Sequence, residues 1–166
     1  MKAVFAGSFD PFTEGHLEIV KKARGMFGEL VVAVAEDTGR KPAADIAKRR
    51  EIAEKSLRGI TGVAVKSFSG FLVDFMKFEK SAVMVRGLRD QNDFLYEQQL
   101  AEVYKSQNHE IERVYFIGGH EYRHVSGTIV RELASLGGSL DGYVAKAAQD
   151  SVRKAYRGES EGQNIN

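Results

Sequence analysis

The sequence predicts a doubly wound α/β domain: a five-stranded parallel sheet of order 3-2-1-4-5 with helices on both faces. Three observations point there. Short apolar runs alternate with longer segments of helical period. Those runs are continuous rather than alternating, as in strands covered on both faces. No repeat, linker or composition break divides the 166 residues, a length suited to one core. The strands are read at Ala3–Ala6, Leu30–Ala35, Val63–Phe68, Ala82–Val85 and Val114–Ile117. Between them, Glu14–Phe27, Ile46–Leu57, Phe71–Phe78 and Asp93–Gln107 carry apolar residues three or four apart. Two more helices, Thr128–Leu136 and Leu140–Tyr156, follow the fifth strand, divided by Gly137-Gly138. The domain is expected to span 1–157, with a polar, disordered tail at 158–166.

Composition narrows the function. The 24 basic and 23 acidic residues leave a net charge of +1, without the basic excess of a nucleic-acid binder. Any grip on phosphate must therefore be local. With no cysteine, disulfides and thiolate metal sites are excluded. No stretch approaches the roughly 20 apolar residues that span a bilayer, and the apolar start at Ala3–Gly7 is too short for a signal peptide. A cytoplasmic protein with no membrane partner is the expectation.

In a doubly wound sheet, ligands bind beyond the carboxyl ends of the strands, where the strand order reverses. Chemistry is thus expected after strands one, four and five. After strand one comes Gly7-Ser8-Phe9-Asp10-Pro11-Phe12-Thr13-Glu14-Gly15-His16. Gly7 ends the strand, Pro11 blocks regular structure, and Thr13 is a suitable N-cap. His16 then falls in the first helical turn, where free N–H groups and the helix dipole attract an anion. Ser8 adds a hydroxyl in the turn. The segment Thr13-Glu14-Gly15-His16 resembles the (H/T)xGH motif of the nucleotidylyltransferases, and its Thr form is similar to that of the phosphopantetheine adenylyltransferases.

Strand four runs into Arg86-Gly87-Leu88-Arg89-Asp90-Gln91-Asn92-Asp93-Phe94-Leu95-Tyr96-Glu97. Two arginines offer fixed guanidinium forks for phosphate oxygens, and Gly87 permits close approach of a ligand to the backbone. The stretch resembles the adenylyltransferase pattern RGLRxxxDFxYE at every fixed position. After strand five, Ser126 or Gly127 can open a helix whose amides cradle phosphates. Val125-Ser126-Gly127-Thr128-Ile129-Val130-Arg131 resembles the family's ISSTxVR motif, with Gly127 in place of a serine. His120-Glu121-Tyr122-Arg123-His124 also spells H-E-x-x-H, the pattern of a zinc hydrolase. That chemistry needs both histidines on one helical face and a third ligand, so solvent-exposed loop histidines are preferred.

The resemblance covers residues 2 to 157 and implies a Rossmann-like fold, transfer of AMP from ATP to 4′-phosphopantetheine, and dephospho-CoA and pyrophosphate as products. It implies catalytic roles for Ser8, His16, Arg40 and Arg89. ATP contacts are implied for Ser8, Phe9, His16, Gly87, Arg89, Glu97, Tyr122, Val125, Ser126, Gly127 and Thr128. Phosphopantetheine contacts are implied for Ser8, Arg40, Phe71, Leu72, Arg86 and Tyr104. Arg40 stands where the family has lysine, with Lys41 as the alternative cation, and Tyr104 stands where it has asparagine. Phe71 and Leu72 suit a helix core equally well. Mg²⁺ on the ATP phosphates, with no protein ligand assigned, a homohexamer and feedback binding of CoA complete what the resemblance implies. Another phosphorylated acceptor, such as nicotinate mononucleotide or a cytidylyl-transfer substrate, is the alternative.

Overall fold

The structure, a computed structural model, describes residues 1–36, 39 and 41–157. The expected tail at 158–166 and the Arg40 position lie outside the described residues. Strands β1 (Lys2–Gly7), β2 (Glu29–Ala35), β3 (Val63–Phe68), β4 (Val83–Leu88) and β5 (Glu112–Ile117) form one sheet of order β3-β2-β1-β4-β5. Every neighbouring pair is parallel. Helices α1 (Glu14–Phe27), α2 (Ile46–Ser56), α3 (Leu72–Phe78), α4 (Gln91–Gln107), α5 (Gly127–Leu136) and α6 (Gln149–Tyr156) flank it.

The continuous apolar runs have a direct physical reading. Successive side chains of a strand point to opposite faces, and here both faces are covered. Ala3, Phe5, Val32, Val34 and Val85 face one core with residues of α1, α2, α5 and α6. Val4, Ala6, Val31, Ala33 and Met84 face a second with Leu72, Val73 and Met76 of α3. By contrast, α4 buries none of its residues. Among the described residues no helix is long and apolar enough to cross a membrane.

Helix ends follow their capping chemistry. Thr13 caps α1, which stops at Gly28 (φ +79°), where the glycine N–H bonds Arg24 O. Asp90 accepts from the N–H groups of Asn92 and Asp93, so α4 starts two residues before its expected Asp93. Ser126 caps α5 and accepts from Ile129 N, as its position predicts.

Two expectations are corrected. β4 does not end at Val85 but continues to Leu88, with Arg86 opposite Tyr115 and Gly87 opposite Phe116 of β5. The parallel ladder extends Arg86 and Gly87 as strand residues rather than loop residues. The single helix expected over Leu140–Tyr156 is broken. Gly142 adopts φ +78°, a left-handed conformation that an α-helix does not contain. Ser139 Oγ takes up Asp141 N, so a side chain competes for the helical backbone. A 3-10 turn at Lys146–Ala148 leads into α6 only at Gln149.

Candidate active site

A cavity of about 970 Å³ opens beyond the carboxyl ends of β1, β4 and β5. This is the predicted place, because β1 and β4 are the adjacent strands at which the strand order reverses. The β1–α1 loop, the end of β4, the Gly118–Thr128 segment and Lys41-Pro42 line it.

His16 stands at the centre. It occupies the third position of α1, where a capping box ordinarily places Glu or Gln. Its Nδ1 accepts Thr13 N–H at 3.0 Å, and the Thr13 hydroxyl accepts from His16 N at 3.5 Å. A committed Nδ1 lone pair assigns the ring proton to Nε2. Burial, and secondarily the charge of Arg89, holds the imidazole pKa down at about 4. His16 is therefore a neutral N–H donor at physiological pH. Phe9 and Phe12 pack on its ring at centroid distances of 5.1 and 5.3 Å. Phe9 has φ +45° and is only 3% exposed. Its ring thus belongs to the wall around His16, whereas the adjacent Ser8 is exposed to the cavity.

Long-range ties hold this loop. Arg49 of α2 is 2% exposed and donates to Ser8 O at 2.5 Å, Ala35 O at 2.8 Å and Ala44 O at 3.0 Å. Asp10 accepts from Ala43 N at 2.8 Å, Ala44 N at 3.2 Å and the Tyr156 hydroxyl at 2.6 Å. Arg131 of α5 donates to the Asp10 carbonyl and lies 3.6 Å from its carboxylate. Sequence reasoning assigned no site role to Asp10, Arg49 or Tyr156. Arg49 sits in the charged run Lys48-Arg49-Arg50-Glu51, which reads as a solvated helix face. Only the Pro after Asp10 hints that this carboxylate marks a fixed turn.

From β4, Arg86 donates to Ala6 O at 2.8 Å and to the Tyr104 hydroxyl at 3.1 Å, and faces Glu97 at 3.4 Å. Arg86, Gly87, Arg89 and Glu97 all line the cavity. A Cβ on Gly87 would sit 3.1 Å from Ile19 Cγ1, so this glycine makes room for α1. Arg89 is paired with Asp93 at 3.1 Å. Tyr104 stands behind Arg86 and packs on the second core. Phe71 is 72% exposed before α3, and Leu72 is turned into that second core. None of these three is among the residues lining the cavity.

Beyond β5, Gly119 N donates to Glu18 of α1 at 2.8 Å, and Lys22 of the same helix donates to Ile117 O at 3.0 Å. Tyr122, Val125, Ser126, Gly127 and Thr128 line the cavity, gathered by the start of α5. A Cβ on Gly127 would lie 2.7 Å from Asp10 O, so the serine of the motif has no room here. His120–Tyr122 forms a 3-10 turn, not an α-helix, and both histidines are exposed. The helical face that an H-E-x-x-H zinc site requires is missing from this segment.

A neutral histidine donor at a helix start, a second helix start, and arginines at the switch point of a doubly wound sheet make a site for phosphoryl chemistry on nucleotides. The chain belongs to the cytidylyltransferase-like family, whose model matches residues 4–133. Its relatives include the phosphopantetheine adenylyltransferase of Moorella thermoacetica, 41% identical over 154 residues, covering 93% of this chain and 96% of that one. Those of Bordetella avium (39% over 162 residues, 96% and 97% covered) and Bordetella petrii (38% over 161, 95% of each) are similar in extent.

Proposed function

We propose that this chain transfers the adenylyl group of ATP to the phosphate of 4′-phosphopantetheine, forming dephospho-CoA and pyrophosphate. The observation that carries the reading is the neutral His16 donor, fixed by Thr13 N–H within a cavity that gathers Arg86, Arg89 and the start of α5. The relatives' shared name supports the acceptor.

The acceptor phosphate is already ionised near neutral pH, so no general base is required. One of its oxygens bonds to the α-phosphorus of ATP as the bond to the β-bridging oxygen breaks. Pyrophosphate leaves with that electron pair. His16 Nε2–H and the start of α1 stabilise the α-phosphoryl oxygens, where charge builds up in the transition state. Ser8 and Arg40 orient the attacking phosphate, with Lys41, which lines the cavity, as the alternative cation. Arg86 lies between the two substrates, where Glu97 and Tyr104 fix its orientation. Arg89, Ser126, Thr128 and the amide of Gly127 hold the leaving phosphates. Gly87, Tyr122, Val125 and Glu97 border the nucleoside, while Phe9 acts through His16. Phe71, exposed before α3, would meet the pantetheine arm only at its outer end, while Leu72 supports it from the second core.

Asp10, Asp93 and Glu97 are each directed at a cation or at backbone donors. Among the described residues no three carboxylate or imidazole groups cluster. In this reading Mg²⁺ is carried on the ATP phosphates as part of the substrate, with no protein ligand assigned. Bound there, it would neutralise phosphate charge. The reading places residues 1–157 as one catalytic domain in the cytoplasm. Self-association into a homohexamer would cover the exposed Leu95, Tyr96 and Val103 of α4. CoA, which carries both the pantetheine arm and an adenylate, would bind the same cavity as a feedback ligand.

The test is pyrophosphate release from ATP with a panel of phosphorylated acceptors. 4′-Phosphopantetheine should give the highest kcat/KM; a better turnover with nicotinate mononucleotide would reject the acceptor assignment.

A further inference from the structure

The cations of the cavity are not equivalent. Arg86 faces Glu97, Arg89 faces Asp93 and Arg131 faces Asp10, so each of these guanidiniums has a carboxylate partner within 4 Å. Lys41 and Arg123 also line the cavity and are exposed. Among the described residues no ion pair or side-chain hydrogen bond takes up either of them.

Their placement has a direction. Lys41 follows β2 and Arg123 follows β5, and the sheet order puts those strands on opposite sides of the β1–β4 pair. In-line displacement likewise puts the entering oxygen and the leaving group on opposite sides of the phosphorus. Lys41 and Arg123 thus flank the switch point from opposite sides, the arrangement an in-line transfer across it would use. The β5 end is the leaving-group end, because Arg123 lies three residues before the Ser126 cap of α5. At that end the chain has also lost a hydroxyl, since Gly127 has no side chain and no space for one.

We infer that Arg123 is a further pyrophosphate-binding cation of this chain, joining Arg89 at the β- and γ-phosphates of ATP and at the departing pyrophosphate. This rests on the adenylyl-transfer reading. As the bond from the α-phosphorus to the bridging oxygen breaks, its electron pair stays on the β-phosphate, and the leaving group gains one negative charge. No proton or redox equivalent moves. A guanidinium without a resident carboxylate meets that charge with no ion pair to break first.

The test is calorimetric titration of ATP, AMP and pyrophosphate into wild type, Arg123→Ala and Arg123→Lys. Arg123→Ala should weaken ATP and pyrophosphate about tenfold, the scale of one charge-assisted hydrogen bond in an open site, and leave AMP unchanged. Arg123→Lys should recover most of that loss. ATP and pyrophosphate affinities within roughly twofold of wild type would overturn the inference. So would a parallel loss of AMP affinity, because a merely structural role would affect all three ligands. Wild type that shows the Arg123-dependent ATP binding yet no turnover with 4′-phosphopantetheine would reject the acceptor assignment and leave Arg123 in place.

Discussion

Acidification from pH 7 to pH 5 should destabilise this protein through one side chain, His16. In the fold its pKa is held down at about 4, against an ordinary value of 6.5. The unfolded chain therefore takes up a proton at His16 as the pH drops through 6.5, while the folded chain resists until about 4. The contribution is complete above pH 6.5 and is lost progressively down to about pH 4. Two and a half pKa units correspond to about 3 kcal/mol in all, of which about 2 kcal/mol falls between pH 7 and pH 5. The assay is urea unfolding at both pH values for wild type and His16→Asn. Asn Oδ1 takes the place of the imidazole Nδ1 as acceptor for Thr13 N–H, and it does not titrate. Subtracting the two pH differences cancels every other ionisable group. Wild type should lose about 2 kcal/mol more than the variant over this interval. Equal losses would refute the neutral-imidazole assignment, and with it the identity of the donor atom.

The same His16→Asn variant retains the cap but lacks the Nε2 donor, so kcat should fall on the order of 10²–10³ while calorimetric ATP affinity stays near wild type. Arg49→Ala removes a buried guanidinium that three backbone carbonyls depend on as donor. It should cost about 3 kcal/mol or more, read as a drop of roughly 10 °C in Tm by calorimetry. Gly127→Ser restores the serine of the family motif at a position where its Cβ would stand 2.7 Å from Asp10 O. It should destabilise by about 1–3 kcal/mol in denaturant titration and raise the KM for ATP rather than lower it.

The layered architecture was legible because it rests on local signals. Val31–Val34 and Ala3–Ala6 are continuous apolar runs, and only a strand with two covered faces favours that pattern. Thr13 marked the start of α1 and Ser126 that of α5 because capping is a short-range hydrogen bond. Arg86 and Gly87 read as loop because their strand conformation is imposed by β5, which is distant in sequence. The break in Leu140–Tyr156 was hidden because amphipathic spacing continued through Gly142. In the site, the motifs located Ser8, His16, Arg86 and Arg89. The residues that hold them in place left no sequence signal: Arg49 reaches Ser8 across 41 positions and Tyr156 reaches Asp10 across 146. Phe9 lines the cavity as expected of a ligand contact, but the inward turn of its ring comes from packing against Phe5 and Phe12, which no local signal gives.

The ties on Asp10 also impose an order of assembly in time. The Gly7–Pro11 loop precedes every one of its anchors in the chain: Ala43, Ala44, Arg49, Arg131 and Tyr156. A nascent chain halted before α6 lacks the hydroxyl that completes the Asp10 cluster. The loop that carries the motif is thus completed only once α6 has been made, so a chain cut short before Gln149 keeps its signature motif but not the finished Asp10 cluster.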